Sequence, residues 1–81
     1  MYDHIRGEVI DAQAARAVLR AHGVGYEVKV PLPTSRDLRV GVETTLFTIL
    51  HVVDGSPTLL GFATRPERDL ARKLMTVAGV G

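Results

Sequence analysis

The 81-residue chain has no cysteine, so it can form neither a disulfide framework nor a thiolate metal site. It also lacks a charge excess: ten Lys/Arg stand against nine Asp/Glu, a formal net charge of +1. A monomer that held nucleic acid in one continuous basic groove would be more lopsided. Positive charge must then be gathered on one face, or come from residues outside this chain. No apolar run approaches the roughly 18–20 residues that span a bilayer. Met1-Tyr2-Asp3-His4-Ile5-Arg6 lacks the basic-then-apolar order of a secretory signal, so the expected compartment is the cytosol, with no membrane partner. Low-complexity tracts and internal repeats are missing too.

Signatures of catalysis are equally scarce. No serine stands in a G-x-S-x-G context, and no Ser-His-Asp arrangement can be argued. The phosphate-cradling pattern G-x-x-x-x-G-K-S/T is absent, so ATP hydrolysis is not expected. His4, His22 and His51 fall on separate elements without metal-ligand spacing, which makes them ordinary surface or rim residues. The expectation is therefore no catalytic residue, no metal and no cofactor.

Hydrophobic residues make up 46% of the chain and charged residues 23%, an ordinary globular balance. A domain this small buries only about 60–65% of the surface its unfolded chain exposes. Such a core must pack well or lean on a partner subunit.

The first half alternates with period two. Ile5, Gly7 and Val9 oppose Arg6, Glu8 and Ile10; Ala17, Leu19 and Ala21 oppose Arg16, Val18 and Arg20. Val24, Tyr26, Val28 and Val30 oppose Gly25, Glu27 and Lys29. This is the pattern of antiparallel strands with one buried and one wet face. Breaks are expected at Asp11-Ala12-Gln13-Ala14 and at Ala21-His22-Gly23. Pro31 and Pro33 end the third strand, and Thr34–Leu38 makes one helical turn capped by Thr34 or Ser35.

Glu43 to Val53 is the longest apolar run, rich in β-branched residues, and predicts a strand covered on both faces. Asp54-Gly55-Ser56-Pro57 is a turn, and Thr58–Phe62 returns as a fifth strand. The period then changes. Thr64-Arg65-Pro66-Glu67 fits a capping box, and Leu70, Leu74 and Val77, flanked by Ala71 and Met75, form a helical apolar stripe. The fold class is mainly β: a small five-stranded barrel, most naturally an OB-fold, followed by a C-terminal α-helix. Periodicity alone leaves an SH3-like barrel open. Leu19, Tyr26, Val28, Leu46 and Phe47 are the expected barrel core.

Three glycine-bearing spots stand out. Gly23-Val24-Gly25-Tyr26-Glu27-Val28 reads as a hairpin entry, and Asp54-Gly55 as a solvated hairpin tip. Gly79-Val80-Gly81 follows the helix directly. It is either a plain helix stop or a place where backbone N–H groups point at an anion.

Taken in order, these segments resemble the RuvA family. The matching stretches are Ile5-Arg6-Gly7, Gly23 to Val28, Leu46-Phe47-Thr48, His51-Val52-Val53, Leu59-Leu60-Gly61-Phe62, Glu67-Arg68 and Gly79-Val80-Gly81. The resemblance implies an OB-fold domain over residues 1–63. Residues 64–81 then hold the first helix and the start of a helix-hairpin-helix domain that binds DNA phosphates through main-chain amides. Gly79, Val80 and Gly81 would make such contacts. The family assembles as tetramers on Holliday junctions, and its RuvB motor, docked through a C-terminal domain, supplies ATP hydrolysis. A central hairpin carries an acidic pin, usually of two adjacent acids.

Here that hairpin is one residue shorter and offers only Asp54. The second hairpin and the motor-docking domain have no counterpart, so the chain is expected to be an N-terminal piece of the family pattern. The expected role is a non-catalytic DNA-binding and assembly module. The rival is an OB barrel that only oligomerises, with DNA held elsewhere. A generic single-strand-binding OB domain is disfavoured, because only Tyr2, Tyr26, Phe47 and Phe62 could stack bases.

Overall fold

The computed structural model describes residues 2–77. Its strands are β1 (His4–Gln13), β2 (Arg16–Ala21), β3 (Val24–Lys29), β4 (Glu43–Val53) and β5 (Ser56–Phe62). A short helix, α1 (Leu32–Asp37), joins β3 to β4, and α2 (Arg65–Val77) follows β5. The strands close into a barrel in the order β1-β2-β3-β5-β4, with β4 paired back to β1. Every pairing is antiparallel except β3–β5, which is parallel and consists of Val28↔Leu59 and Lys29↔Leu60. This is the expected five-stranded OB-fold barrel with its terminal helix.

One long strand makes the closure possible. The first half of β1, His4 to Glu8, pairs with β4, and from Glu8 onward β1 pairs with β2. The strand changes partners at Glu8, and at Gly7 just before it a Cβ would lie 2.5 Å from the carbonyl oxygen of Arg20. A register shift between Val9 and Asp11 leaves Ile10 bulged and 38% exposed. The bulge resets the alternation and carries the strand through Asp11, Ala12 and Gln13. The break expected at 11–14 is therefore a turn at Ala14-Ala15 alone, with Ala15 at φ 61°.

Val9, Ala17, Leu19, Val28 and Leu46 are fully buried, and Ile5 and Val30 complete the core. The inward sets read from β1 and β2 hold. On β3 only the second half does: Val24 is 48% exposed, and Tyr26 is a half-buried residue at the edge of the core. Phe47 is a correction. It neighbours Leu46 on one strand, and period two sends adjacent side chains to opposite faces. Leu46 takes the inside, and Phe47 lies outside, with its ring 4.8 Å from the Arg65 guanidinium carbon and 6.2 Å from the His4 ring. The second cover expected over β4 is α2, which packs on β4 and β5. Ile49 is buried, but Val52 and Val53 near the hairpin end are each 50% exposed.

The helices differ from expectation in instructive ways. Helix α1 starts at Leu32, not Thr34, because proline is tolerated in a first helical turn, where its missing N–H costs nothing. No side chain caps it. Thr34 and Ser35 are buried instead, and Ser35 Oγ donates to Leu32 O (2.7 Å) and accepts from Ala15 N–H (3.2 Å). That pair ties α1 to the β1–β2 turn. Strand β5 also begins earlier, at Ser56, since Pro57 at a hairpin end loses no essential ladder bond.

At α2, Thr64 Oγ1 accepts from the Glu67 N–H (3.3 Å), as the capping box requires. Its apolar stripe is rotated, however: Leu70 and Leu74 are 58% and 59% exposed, while Ala71 and Met75 are half-buried. Arg68 is only 4% exposed and sets the orientation. It donates to Asp3 O (2.7 Å), pairs with the Asp3 carboxylate (3.1 Å) and with Asp69 (2.7 Å). Turning the helix to bury the leucines would strip this buried guanidinium of its partners, and an unpaired buried charge is strongly destabilising.

Candidate nucleic-acid interface

The β4–β5 hairpin turns on two residues, Asp54 and Gly55, at φ 51° and φ 76°. Two consecutive left-handed residues make the tight turn whose twist matches that of the strands it joins. Asp and Gly suit it because both tolerate that region. Val53 and Ser56 form the last pair below the tip. Asp54 is exposed and makes no ion pair among the described residues. The tip therefore presents one carboxylate above exposed Val52, Val53 and Pro57. Gly79, Val80 and Gly81, the expected phosphate contacts, lie outside the described residues.

The outer face of the strands carries charges of both signs, and its arginines are already matched. Arg6 bonds Glu43 (2.9 Å) and Thr45 Oγ1 (2.8 Å), Arg20 bonds Glu8 (2.7 Å), and Arg16 bridges Glu27 (2.6 Å) and Asp11 (2.9 Å). Exposed pairs of this kind add little stability, about 0–1 kcal/mol each. Their effect is to leave little net field for a phosphate backbone.

The histidines lie on three different elements: His4 on β1 against Asp3 (2.8 Å), His22 in the β2–β3 turn, and His51 on β4; His4 and His22 nonetheless line one shallow depression. No three metal-binding side chains come together among the described residues. No helix of these residues is long and apolar enough to cross a membrane.

Two arrangements were not foreseen. The first is the Asp3 hub, which joins His4, Arg65 (2.9 Å) and Arg68. The hydrogen bonds from His4 and Arg65, with Arg68 behind them, hold the Asp3 carboxyl well below the usual carboxylate range. The second is a groove of about 590 Å³ where β3 and β5 diverge, lined by Tyr2, Tyr26, Lys29, Leu50, Pro57 and Leu59 among others. Tyr2 belongs to no periodic element, so alternation gave no signal for it.

Residues 1–61, almost the whole barrel, match the RuvA N terminal domain. The chain belongs to this family. Similar full-length proteins are the Holliday junction branch migration complex subunit RuvA of Thermodesulfovibrio yellowstonii (40% identical), Halorhodospira halophila (44%) and a Mycobacterium species, strain KMS (46%). Each alignment covers 100% of this chain but only 43%, 40% and 41% of the relative, so the chain spans about two fifths of their length. The RuvA N-terminal match stops inside β5, and α2 is covered by the relatives alone.

Proposed function

We propose that this chain is the barrel module of a Holliday-junction-binding subunit, serving DNA recombination and repair in the cytosol without catalysis of its own. The observation that carries this reading is the RuvA N-terminal match over almost the whole barrel, joined to 40–46% identity with branch migration subunits over all 81 residues. On this reading residues 64–81 open a helix-hairpin-helix unit. Its amides at Gly79, Val80 and Gly81 grip phosphates, four copies surround the crossover, and a RuvB motor bound elsewhere on the longer protein supplies ATP hydrolysis.

The β4–β5 hairpin is then the element at the crossover. Its charge is a single carboxylate, Asp54, so repulsion of phosphates is weaker than two adjacent acids would give. Exposed Val52, Val53 and Pro57 supply apolar bulk behind it, which makes strand separation here more a matter of shape than of charge.

The test is fluorescence anisotropy with a four-way junction and a linear duplex of the same arms. The expected result is a preference for the junction at low salt that fades toward physiological salt, because most phosphate-binding amides of the family pattern lie beyond this chain. Equal affinity for duplex and junction would remove the junction reading. The assembly-only alternative draws on the ion-paired strand face, where Arg6, Arg16 and Arg20 are all engaged by carboxylates. Light scattering showing a tetramer that ignores the junction would favour it.

A further inference from the structure

The geometry points to a single-strand site on the barrel: the groove between β3 and β5 receives an unpaired nucleobase on its tyrosines, with the adjoining phosphate at Lys29. This rests on the reading that the chain serves DNA, and it adds to the hairpin a place for the strand that the hairpin parts.

The groove exists because β3 and β5 share only two residue pairs, between the C-terminal end of β3 and the middle of β5. Toward the hairpin they separate, leaving one edge of Val24–Glu27 without a strand partner. Its volume, about 590 Å³, falls within the roughly 300–1,000 Å³ of small-molecule sites. Tyr2 is 56% exposed, and Tyr26, packed against the edge of the core, is only half-buried, so both rings keep surface facing the groove. Both tyrosines also line a second depression of about 300 Å³ with His4, Arg6 and His22, so the two hollows meet across them. The result is a track with aromatic rings in the middle, Lys29 toward one end and the Glu43-paired Arg6 toward the other.

The chemistry selects the occupant. Leu50, Leu59 and Pro57 give the groove apolar walls suited to a flat ring, and phenol faces stack on any base. Paired, stacked bases offer only their edges, so the faces of Tyr2 and Tyr26 can be used only by a base outside a duplex. Lys29 makes no ion pair among the described residues. The acid beside it, Glu27, is held at 2.6 Å by Arg16, which also pairs with Asp11 at 2.9 Å, so these four charges balance and Lys29 is the cation left to meet a phosphate. Pro57 and Thr58, on the strand returning from the Asp54-Gly55 tip, form part of the wall. A strand displaced at the tip thus meets the groove directly below it.

Tyr2 and Tyr26 are the only tyrosines and there is no tryptophan, so intrinsic emission reports this groove and the hollow that joins it. Titration of the 81-residue protein with a short oligothymidylate is expected to quench that emission saturably. Tyr2→Leu, at an exposed position ahead of β1, should weaken binding at least about fivefold while leaving the circular dichroism melt unchanged. Lys29→Gln should lower the log–log salt slope by about 0.7. Oligothymidylate affinity unmoved by both substitutions would overturn the proposal. So would a protein that binds the four-way junction but shows no quenching by the single strand, and the junction reading would then survive without the groove. Quenching by the single strand with no preference for junction over duplex would leave the groove standing and remove the junction reading instead.

Discussion

Replacing Gly7 by alanine should strike the barrel where one strand serves two partners. The new Cβ would lie 2.5 Å from the Arg20 carbonyl oxygen, 2.9 Å from its carbon and 3.4 Å from the Ala21 Cβ. Carbon–oxygen contacts between strands settle at about 3.3–3.6 Å, so β1 and β2 must part by close to about 1 Å. Neither side can yield by rotating a side chain, because the obstacle is backbone. Overpacking of this kind costs about 1–3 kcal/mol. A stretched ladder bond at the adjoining Glu8↔Arg20 pair adds about 1 kcal/mol. Alanine restrains the unfolded chain and returns about 0.4–1 kcal/mol. The net loss of about 1–3 kcal/mol should lower Tm by roughly 5–20 °C at the 4–8 °C per kcal/mol typical of this size. Gly25→Ala is the control: its Cβ would meet nothing closer than Val18 Cγ1 at 3.6 Å, so it should melt with the parent. Thermal melts of the three proteins by circular dichroism decide the matter. If Gly7→Ala melts within a degree or two of the parent, the close approach of β1 to β2 is wrong.

Leu19→Ala should cost about 2–5 kcal/mol in urea unfolding, whereas Phe47→Ala, which loses a half-buried ring outside the barrel and its contact with Arg65, should cost about 1–2 kcal/mol. Equal losses would place Phe47 inside the barrel. Asp3 has its folded pKa depressed, so its contribution is present above the ordinary value of 3.8 and is lost as pH falls below it. Asp3→Asn should therefore be less stable than the parent at neutral pH and should lose less on acidification, as urea midpoints at the two pH values will show. Asp54→Asn keeps a residue tolerant of φ 51° and should leave the melt unchanged. As a pin it should bind a four-way junction more tightly than the parent at low salt, with the gain shrinking as salt is added. No salt-dependent difference would make Asp54 a turn residue only.

Local order was legible in the sequence wherever one face of a strand is wet. Ile5-Gly7-Val9 and Ala17-Leu19-Ala21 announce their inward sides because Arg6, Glu8, Arg16 and Arg20 dominate the other. The run through Leu46 and Phe47 could not, since it is apolar on both faces and gives alternation nothing to read. The stripe on α2 misled for a different reason. Its orientation is decided by Arg68 reaching Asp3, a contact between opposite ends of the chain that no local period encodes. The hairpin tip was visible as Asp54-Gly55, because two left-handed residues demand that kind of pair. The tyrosine groove was not, since it arises from where two distant strands fail to meet.

The two-pair β3–β5 contact has a bearing on how the protein behaves when concentrated. It joins opposite halves of the chain through the fewest bonds of any seam, so it is the first to part in local fluctuations and the last to form. Once parted, the barrel is an open sheet with β3 and β5 as its two bare margins, the arrangement through which β-proteins add to one another and aggregate. Those margins carry their own protection. Lys29 places a charge on one, and Pro57 withholds a backbone N–H from the other, both of which discourage a neighbouring copy from continuing the sheet.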